Sequence, residues 1–221
     1  MSRVQRLCIP RLANESIDYT PSDTQRAAMI GAVAGKVAEL FDILYVDHQN
    51  DHNTRDTPGR VARMLIEDTM RGRFSGPPVI TGFDNVTAFD QLIVIGPIDV
   101  RSTCAHHLMP IYGEAFIGVL PAETGRIIGL SKYDRIVDYF SGRLQIQEEL
   151  VKQIGQFIME KTTPRGVAVR ISAVHMCKTH RGVRASHRSR MVTNAYFGVL
   201  SQDPALKAEF MSEIADLTRQ S

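Results

Sequence analysis

The stretch LIVIGPIDVRSTCAHHLMPIYGEAFIGVL, from Leu92 to Leu120, decides the architecture. Leu92–Ile95 is an apolar, β-branched run that meets Gly96-Pro97, and Ile98–Thr103 resumes the extended pattern. Ile111–Leu120 is a second apolar run, stopped by Pro121. Two such runs joined by a short link read as neighbouring strands of an antiparallel sheet. Between them, at a strand end, lies Cys104-Ala105-His106-His107.

Toward the N-terminus the pattern changes. Residues 1–21 contain Pro10 and Pro21 without clear periodicity and read as an arm. Ser22 or Asp23 can cap a helix in which Ile30, Val33, Val37, Leu40 and Phe41 recur at helical spacing. Asp47–Arg55 is a polar loop. Asp56-Thr57-Pro58 starts another helix, because a proline costs nothing where no intrahelical N–H bond exists. That helix is expected to turn Val61, Met64 and Leu65 inward, and Gly72, Gly76, Pro77 and Pro78 end it.

Toward the C-terminus, Ser131 opens a helix with Ile136, Val137 and Phe140 on one face. A second follows Gly142, with Ile146, Leu150, Ile154 and Ile158 four residues apart. Val167, Val169, Ile171 and Ala173 alternate along a strand ending near His175, and Met191–Leu200 is the last strand. Leu206–Thr218 is a terminal helix. Helices, two strands, two helices, two strands and a helix make an α+β chain. Its divisions are an arm (1–21), a helical region (22–80) and a sheet domain (81–221).

Composition excludes several classes. A formal net charge of +2 over 221 residues does not suggest a nucleic-acid binder. The apolar runs are far too short to span a bilayer, and the first residues lack the apolar core of a secretory signal. Three cysteines argue against a disulfide framework and fit a reducing compartment, so a cytoplasmic protein is expected. Charge is uneven: Lys178, Arg181, Arg184, Arg188 and Arg190 crowd together with no acidic residue between them. Two readings fit that cluster, an anion site and a solvated basic loop.

Cys104, His107 and Cys177 are good zinc ligands, two from one loop and one from a distant strand end. Three protein ligands leave a fourth position for water, the arrangement of a catalytic site. The competing reading is a pair of buried cysteines acting as small hydrophobes beside locally bonded histidines. Cys8 reads as an ordinary thiol of the arm, and His180 and His187 as solvated loop residues.

Four ordered segments then resemble one family. Ser102–Pro110 is similar to the Cys-Glu-His-His signature of the GTP cyclohydrolase I family. Asp56-Thr57-Pro58-Gly59-Arg60-Val61-Ala62 looks like its Asp-Thr-Pro-x-Arg-Val-Ala helix start. Gly129–Lys132, Arg135–Val137 and Gln145–Glu148 resemble its substrate-helix region. His175-Met176-Cys177 with Arg181-Gly182-Val183 resembles its second zinc strand. The likeness runs from about residue 25 to residue 200.

That resemblance implies a tunnelling fold (T-fold), an antiparallel sheet with helices on one face and an N-terminal helical extension. It implies a homo-oligomer, a decamer of two stacked pentamers with sites between subunits. GTP would lose C8 as formate, and the opened sugar would rearrange to 7,8-dihydroneopterin triphosphate. Zn²⁺ would sit on Cys104, His107 and Cys177. His106 would protonate a ring nitrogen, and His175 would act near the ribose oxygen. Glu148 would pair with the guanine edge, Gln147 would add a purine contact, and Arg60, Ser131, Lys132, Arg135 and Arg181 would hold the triphosphate.

The chain departs from the pattern in three places. Ala105 stands where the signature has glutamate. Tyr133-Asp134 replaces a small or apolar pair, and Arg184–Arg190 is longer and more basic than the usual strand. These leave room for a paralogue that stops at a formamidopyrimidine, takes a related purine nucleotide, or feeds a 7-deazapurine pathway. A non-catalytic nucleotide-binding scaffold is the remaining alternative.

Overall fold

The computed structural model describes residues 11–219. Cys8 and the first ten residues of the expected arm lie outside the described residues. Contacts divide the chain into two compact units, the first ending at Gly76 and the second starting at Pro77. Each is described by itself.

In the first unit, helix α1 (Asp23–Ile43) starts at Ser22. The Ser22 hydroxyl accepts from the Gln25 N–H (3.3 Å) and the Gln25 side chain accepts from the Ser22 N–H (2.9 Å), a reciprocal cap that satisfies two orphan donors. Helix α2 (Thr57–Arg63) carries Pro58 in its first turn. The expected inward face is rotated. Pro58, Ala62 and Ile66 are buried four residues apart, whereas Met64 is 43% exposed. Past Arg63 the turn widens, and the Met70 N–H reaches the Leu65 carbonyl (3.1 Å). The apolar stripe of α1 leaves no residue buried within the chain. From residue 11 the arm is held largely by Arg73, with the Ser16 hydroxyl donating to the Gly72 carbonyl (2.9 Å). The Arg73 guanidinium donates to the carbonyls of Leu12 (2.6 Å) and Glu15 (2.9 Å), and the Ile17 N–H returns a bond to the Arg73 carbonyl (3.0 Å).

In the second unit the strands are β1 (Gly82–Asp84), β2 (Ile93–Cys104), β3 (Pro110–Leu120), β4 (Arg126–Ile128), β5 (Leu144–Gln145), β6 (Gly166–His175) and β7 (Met191–Gly198). The helices are α3 (Leu130–Ser141), α4 (Gln147–Thr162), the single turn α5 (Met176–Thr179) and α6 (Pro204–Arg219). The main sheet runs β5-β2-β3-β6-β7, antiparallel except for the short β5, and β1 pairs with β4 apart from it. These two small pairings were not foreseen. Strands of two or three residues carry too little alternation to be read.

Alternation along each strand sends its residues to two cores. Ile111, Ala115, Ile117, Val119, Val167, Val169, Ile171 and Ala173 face α3 and α4. Phe116, Leu120 and Ala168 face the other way, against Phe210 and Ile214 of α6. The expectation of helices on one face therefore fails at the C-terminal helix, because even-numbered apolar positions of β3 needed cover too.

Strand β2 changes sides midway. Ile95 pairs with Ile117 but Ile98 pairs with Ala115, so β2 holds one extra residue there. Before this bulge Ile95 faces the α3–α4 core; after it, Ile98, Val100 and Cys104 do. A side chain at Gly96 would collide with the Phe116 ring. The bulge thus decides that Cys104, not Thr103, enters the helix-covered core.

Helix α4 comes close to β7 because Gly155 has no side chain. A Cβ there would overlap the Phe197 ring. Gly155→Ala is expected to destabilise the protein by about 1–3 kcal/mol through overpacking, despite alanine's better helix propensity. Urea unfolding would read it, and an unchanged or raised midpoint would show that the helix can shift freely.

Candidate active site

Three chain segments converge at one end of the sheet. The first is the loop after β2. The Cys104 N–H bonds the Met109 carbonyl (2.8 Å) and the Leu108 N–H bonds the Cys104 carbonyl (2.9 Å), so the backbone closes tightly around Ala105-His106-His107. Leu108 takes the left-handed conformation that such a reversal needs (φ 53°). The second is the end of β6. Ile111 pairs with His175, which brings the start of β3 and the finish of β6 level, and α5 then carries Cys177. The third is β5, where Gln145 pairs with Cys104 and leads directly into α4.

One sulfur each from Cys104 and Cys177 and a ring nitrogen of His175 lie within 4.8 Å of one another, a group able to hold a metal ion. Cys104 is buried and Cys177 partly so. Burial, followed by the hydrogen bond and charge of the Cys104 sulfur, pushes the Cys177 thiol up, with Arg181 opposing. Two sulfurs so close disfavour two thiolates unless a cation lies between them. Tetrahedral zinc has Zn–S bonds of about 2.3 Å, which place neighbouring sulfurs about 3.8 Å apart. The donor set therefore fits a thiophilic divalent ion.

The histidines divide. His106 is exposed, with Nδ1 3.8 Å from the Cys104 sulfur. His107 is also exposed, its ring 6.4 Å from that of His106, and it is not in the group formed by the two cysteines. His175 is half-buried. Burial lowers its pKa most; Glu148 opposes this, while His106 and Lys178 add to it. Its Nε2 lies 2.7 Å from the Gln147 side-chain oxygen.

Gln147 departs from its expected place. It is 1% exposed, and its amide nitrogen faces the carbonyls of Ile171 and Met191 (3.1 Å each) and the Thr193 hydroxyl (3.0 Å). With every polar atom engaged inside the protein, it has no free edge for a purine. Its neighbour Glu148 is exposed in the first turn of α4, where a carboxylate also suits the helix dipole.

A cavity of about 380 Å³ is lined by His175, Cys177, Lys178, Ser189, Arg190 and Met191. Lys178 and Arg190 were seen in sequence only as members of a basic cluster, and Ser189 was not singled out. Lys178 Nζ donates to the Ser189 hydroxyl (2.9 Å), and Arg190 donates to Ser172 through Nε (3.1 Å). Both cations are thereby held at the cavity wall. Arg181 is exposed and acts electrostatically on Cys177.

Other expected anion contacts lie elsewhere in the chain. Ser131, Lys132 and Arg135 are on the first turns of α3, and Arg135 lines a separate cavity of about 450 Å³ with Asp99, Arg101, Asp134 and Asp138. Arg60, in the first unit, is exposed and pairs with Asp56 (3.4 Å). Tyr133 packs in the core, where burial raises its phenol to about 12, so it stays a neutral packing residue. His180 and His187 are exposed, as expected.

The sequence as a whole matches the family model for GTP cyclohydrolase I over residues 33–215. The chain belongs to the GTP cyclohydrolase I family. "GTP cyclohydrolase 1" of Streptomyces griseus subsp. griseus is 43% identical over 162 residues, covering 72% of this chain and 78% of the relative. "GTP cyclohydrolase 1" of Shewanella sp. (strain ANA-3) is 38% identical over 176 residues, covering 79% and 80%. Among solved structures, the archaeosine synthase QueF-like protein in the apo form gives a TM-score of 0.39 at 16% identity, covering 48% of this chain and 93% of that one. The α+β arrangement of sheet and helices described above is the tunnelling fold of the GTP cyclohydrolase I family. Among the described residues, no helix is long and apolar enough to cross a membrane.

The sulfur pair gives a direct optical test. Metal-free protein titrated with Co²⁺ is expected to develop thiolate-to-cobalt charge-transfer absorption, reduced in Cys104→Ser and in Cys177→Ser. An unchanged spectrum in either variant would remove that cysteine from the donor set.

Proposed function

We propose that this chain catalyses the zinc-dependent reaction of GTP with water to give formate and 7,8-dihydroneopterin triphosphate, the entry to pterin and folate synthesis. The observation that carries the reading is the convergence of Cys104, Cys177 and His175 at one end of the sheet, in a chain of the GTP cyclohydrolase I family. We place the enzyme in the cytoplasm as a homo-oligomer, a decamer of two pentamers, with residues 81–221 as the catalytic domain.

Cys104, His107 and Cys177 would hold the zinc. When bound, zinc would supply Lewis acidity and bring the pKa of a bound water down toward neutrality. His106, with Nδ1 3.8 Å from the Cys104 sulfur, would give a proton to the purine ring nitrogen as C8 becomes tetrahedral. The lowered pKa of His175 keeps its imidazole neutral near pH 7, ready to take a proton at the ribose. Glu148, exposed beside His175, would accept from the guanine N1–H and amino group. A site built on those bonds rejects adenine strongly. Lys178 and Arg190 from the cavity wall and the exposed Arg181 near Cys177 would contribute charge to the triphosphate, and Arg60, Ser131, Lys132 and Arg135 would complete the anion site.

His107 and His175 compete for the third ligand position, and metal content separates them. His107→Ala is expected to weaken zinc binding about 10-fold or more, while His175→Ala keeps the metal and loses turnover. The opposite pattern would make His175 the ligand.

Ala105 favours a second reading, a paralogue that stops after ring opening. Its N–H bonds the Gln145 carbonyl (3.0 Å), but its methyl group cannot orient an imidazole as a carboxylate would. Incubation of zinc-loaded protein with GTP and product analysis by mass decides between them. Formate with dihydroneopterin triphosphate is expected; a lasting formamidopyrimidine would establish the truncated reaction, and unreacted GTP would sink both.

A further inference from the structure

We infer that Gln147 is a positioning residue that fixes the tautomer and ring orientation of His175. The inference deepens the proposed function and rests on it for the catalytic use of His175. It follows from which groups can only accept a hydrogen bond.

One end of the Gln147 amide lies 3.1 Å from both the Ile171 and the Met191 carbonyl oxygens. Those backbone oxygens have no proton to give, so that end must be the NH₂. Thr193 Oγ1, 3.0 Å away, accepts as a third neighbour. The other end is therefore the oxygen, and it lies 2.7 Å from His175 Nε2. An amide oxygen also only accepts, so Nε2 must carry the hydrogen. The neutral imidazole is then the Nε2–H form, with its lone pair on Nδ1.

The arrangement is rigid because of where its parts come from. Ile171 belongs to β6, Met191 and Thr193 belong to β7, and Gln147 opens α4, which packs on both strands. Gln147 and Ile171 are buried and Met191 partly so, and a buried amide cannot rotate without leaving its NH₂ or the carbonyls unpaired. The register of two strands is thereby transmitted through one side chain to the proton position on His175. Whether His175 takes a proton at Nδ1 or donates that lone pair to a metal, the reactive nitrogen is the one Gln147 leaves free.

The test uses the full-length protein with ¹⁵N-histidine and solid-state NMR, with His175 identified by the signals lost in His175→Asn. The metal-free wild type is expected to show protonated Nε2 and unprotonated Nδ1. Gln147→Met, of similar volume but without polar atoms, should give mixed tautomers and lower kcat about 10- to 100-fold with little change in KM. Thr193→Val removes one of three neighbours and should keep the wild-type tautomer even if Gln147→Met fails to fold. A protonated Nδ1 in the wild type, or unchanged kcat in folded Gln147→Met, would overturn the inference. The tautomer signal needs no turnover, so an absence of GTP conversion would count against the proposed function alone.

Discussion

The pairing of β3 with β6 holds both the fold and the site in place. Ten consecutive partners, from Ile111 opposite His175 to Leu120 opposite Gly166, align two strands separated in sequence by α3 and α4. A shift by one residue would send every side chain of one strand to the wrong face. Val167, Val169, Ile171 and Ala173 would leave the α3–α4 core, and Ala168 would leave Phe210. Two different cores thus oppose the same slip. Because the register is fixed by burial along the whole strand, the strand end carrying His175 is fixed as well, and Cys177 follows two residues later.

The buried glutamines extend that constraint from backbone to side chain. Gln145 and Gln147 flank Ile146 and are both almost wholly inaccessible, a costly placement that hydrogen bonds offset fully for Gln147 and, with its side-chain oxygen left without a partner, only through the NH₂ for Gln145. Gln145 donates to the Phe140 carbonyl (2.7 Å) and to Gln153 (2.8 Å), tying the end of α3 to α4. Gln147 ties α4 to β6, β7 and His175. The two amides therefore share one segment but serve different ends, one joining helices and the other serving the site. On the proposed function, Glu148, one residue later and exposed, meets the guanine edge.

Much of the fold was legible because its longest elements carry clear periods. The four-residue spacing of Leu150, Ile154 and Ile158 and the alternation of Val167, Val169 and Ile171 both correspond to buried faces. Less visible were features set by packing rather than pattern. The buried face of α2 depends on which side meets α1, and Pro58, Ala62 and Ile66 form a weaker apolar signal than Val61, Met64 and Leu65. The need for a helix over Phe116 and Ala168 follows from a second apolar face that the odd-numbered positions of β3 and β6 overshadow. At the site, residue types announced chemistry: two cysteines and three histidines at strand ends. Residue type could not announce burial. Gln147 looks identical in sequence whether it faces a purine or the Ile171 carbonyl, and only the packing of α4 on β6 and β7 decides. Lys178 and Arg190 were hidden in another way, since a run of basic residues does not reveal which of them turn toward Cys177.

The distribution of cations bears on how the proposed site is completed. A triphosphate brings close to four negative charges, and a half-buried cavity screens them poorly. Lys178, Arg181 and Arg190 gather near His175 and Cys177, whereas Arg135 lines a different cavity in which Asp99, Asp134 and Asp138 already balance it and Arg101. On the proposed function, the α3 group of Ser131, Lys132 and Arg135 has no use in its own chain's cavity but suits a site shared with another copy. The first unit carries a matching sign of incompleteness, since the apolar stripe of α1 leaves no residue buried within the chain. Ile30, Val33, Val37 and Phe41 are only partly covered and Leu40 is 49% exposed, which water does not favour on a helix whose polar face is already solvated. Both observations fit the proposed assembly, in which copies of the chain cover what one leaves open and bring the remaining charge to the site.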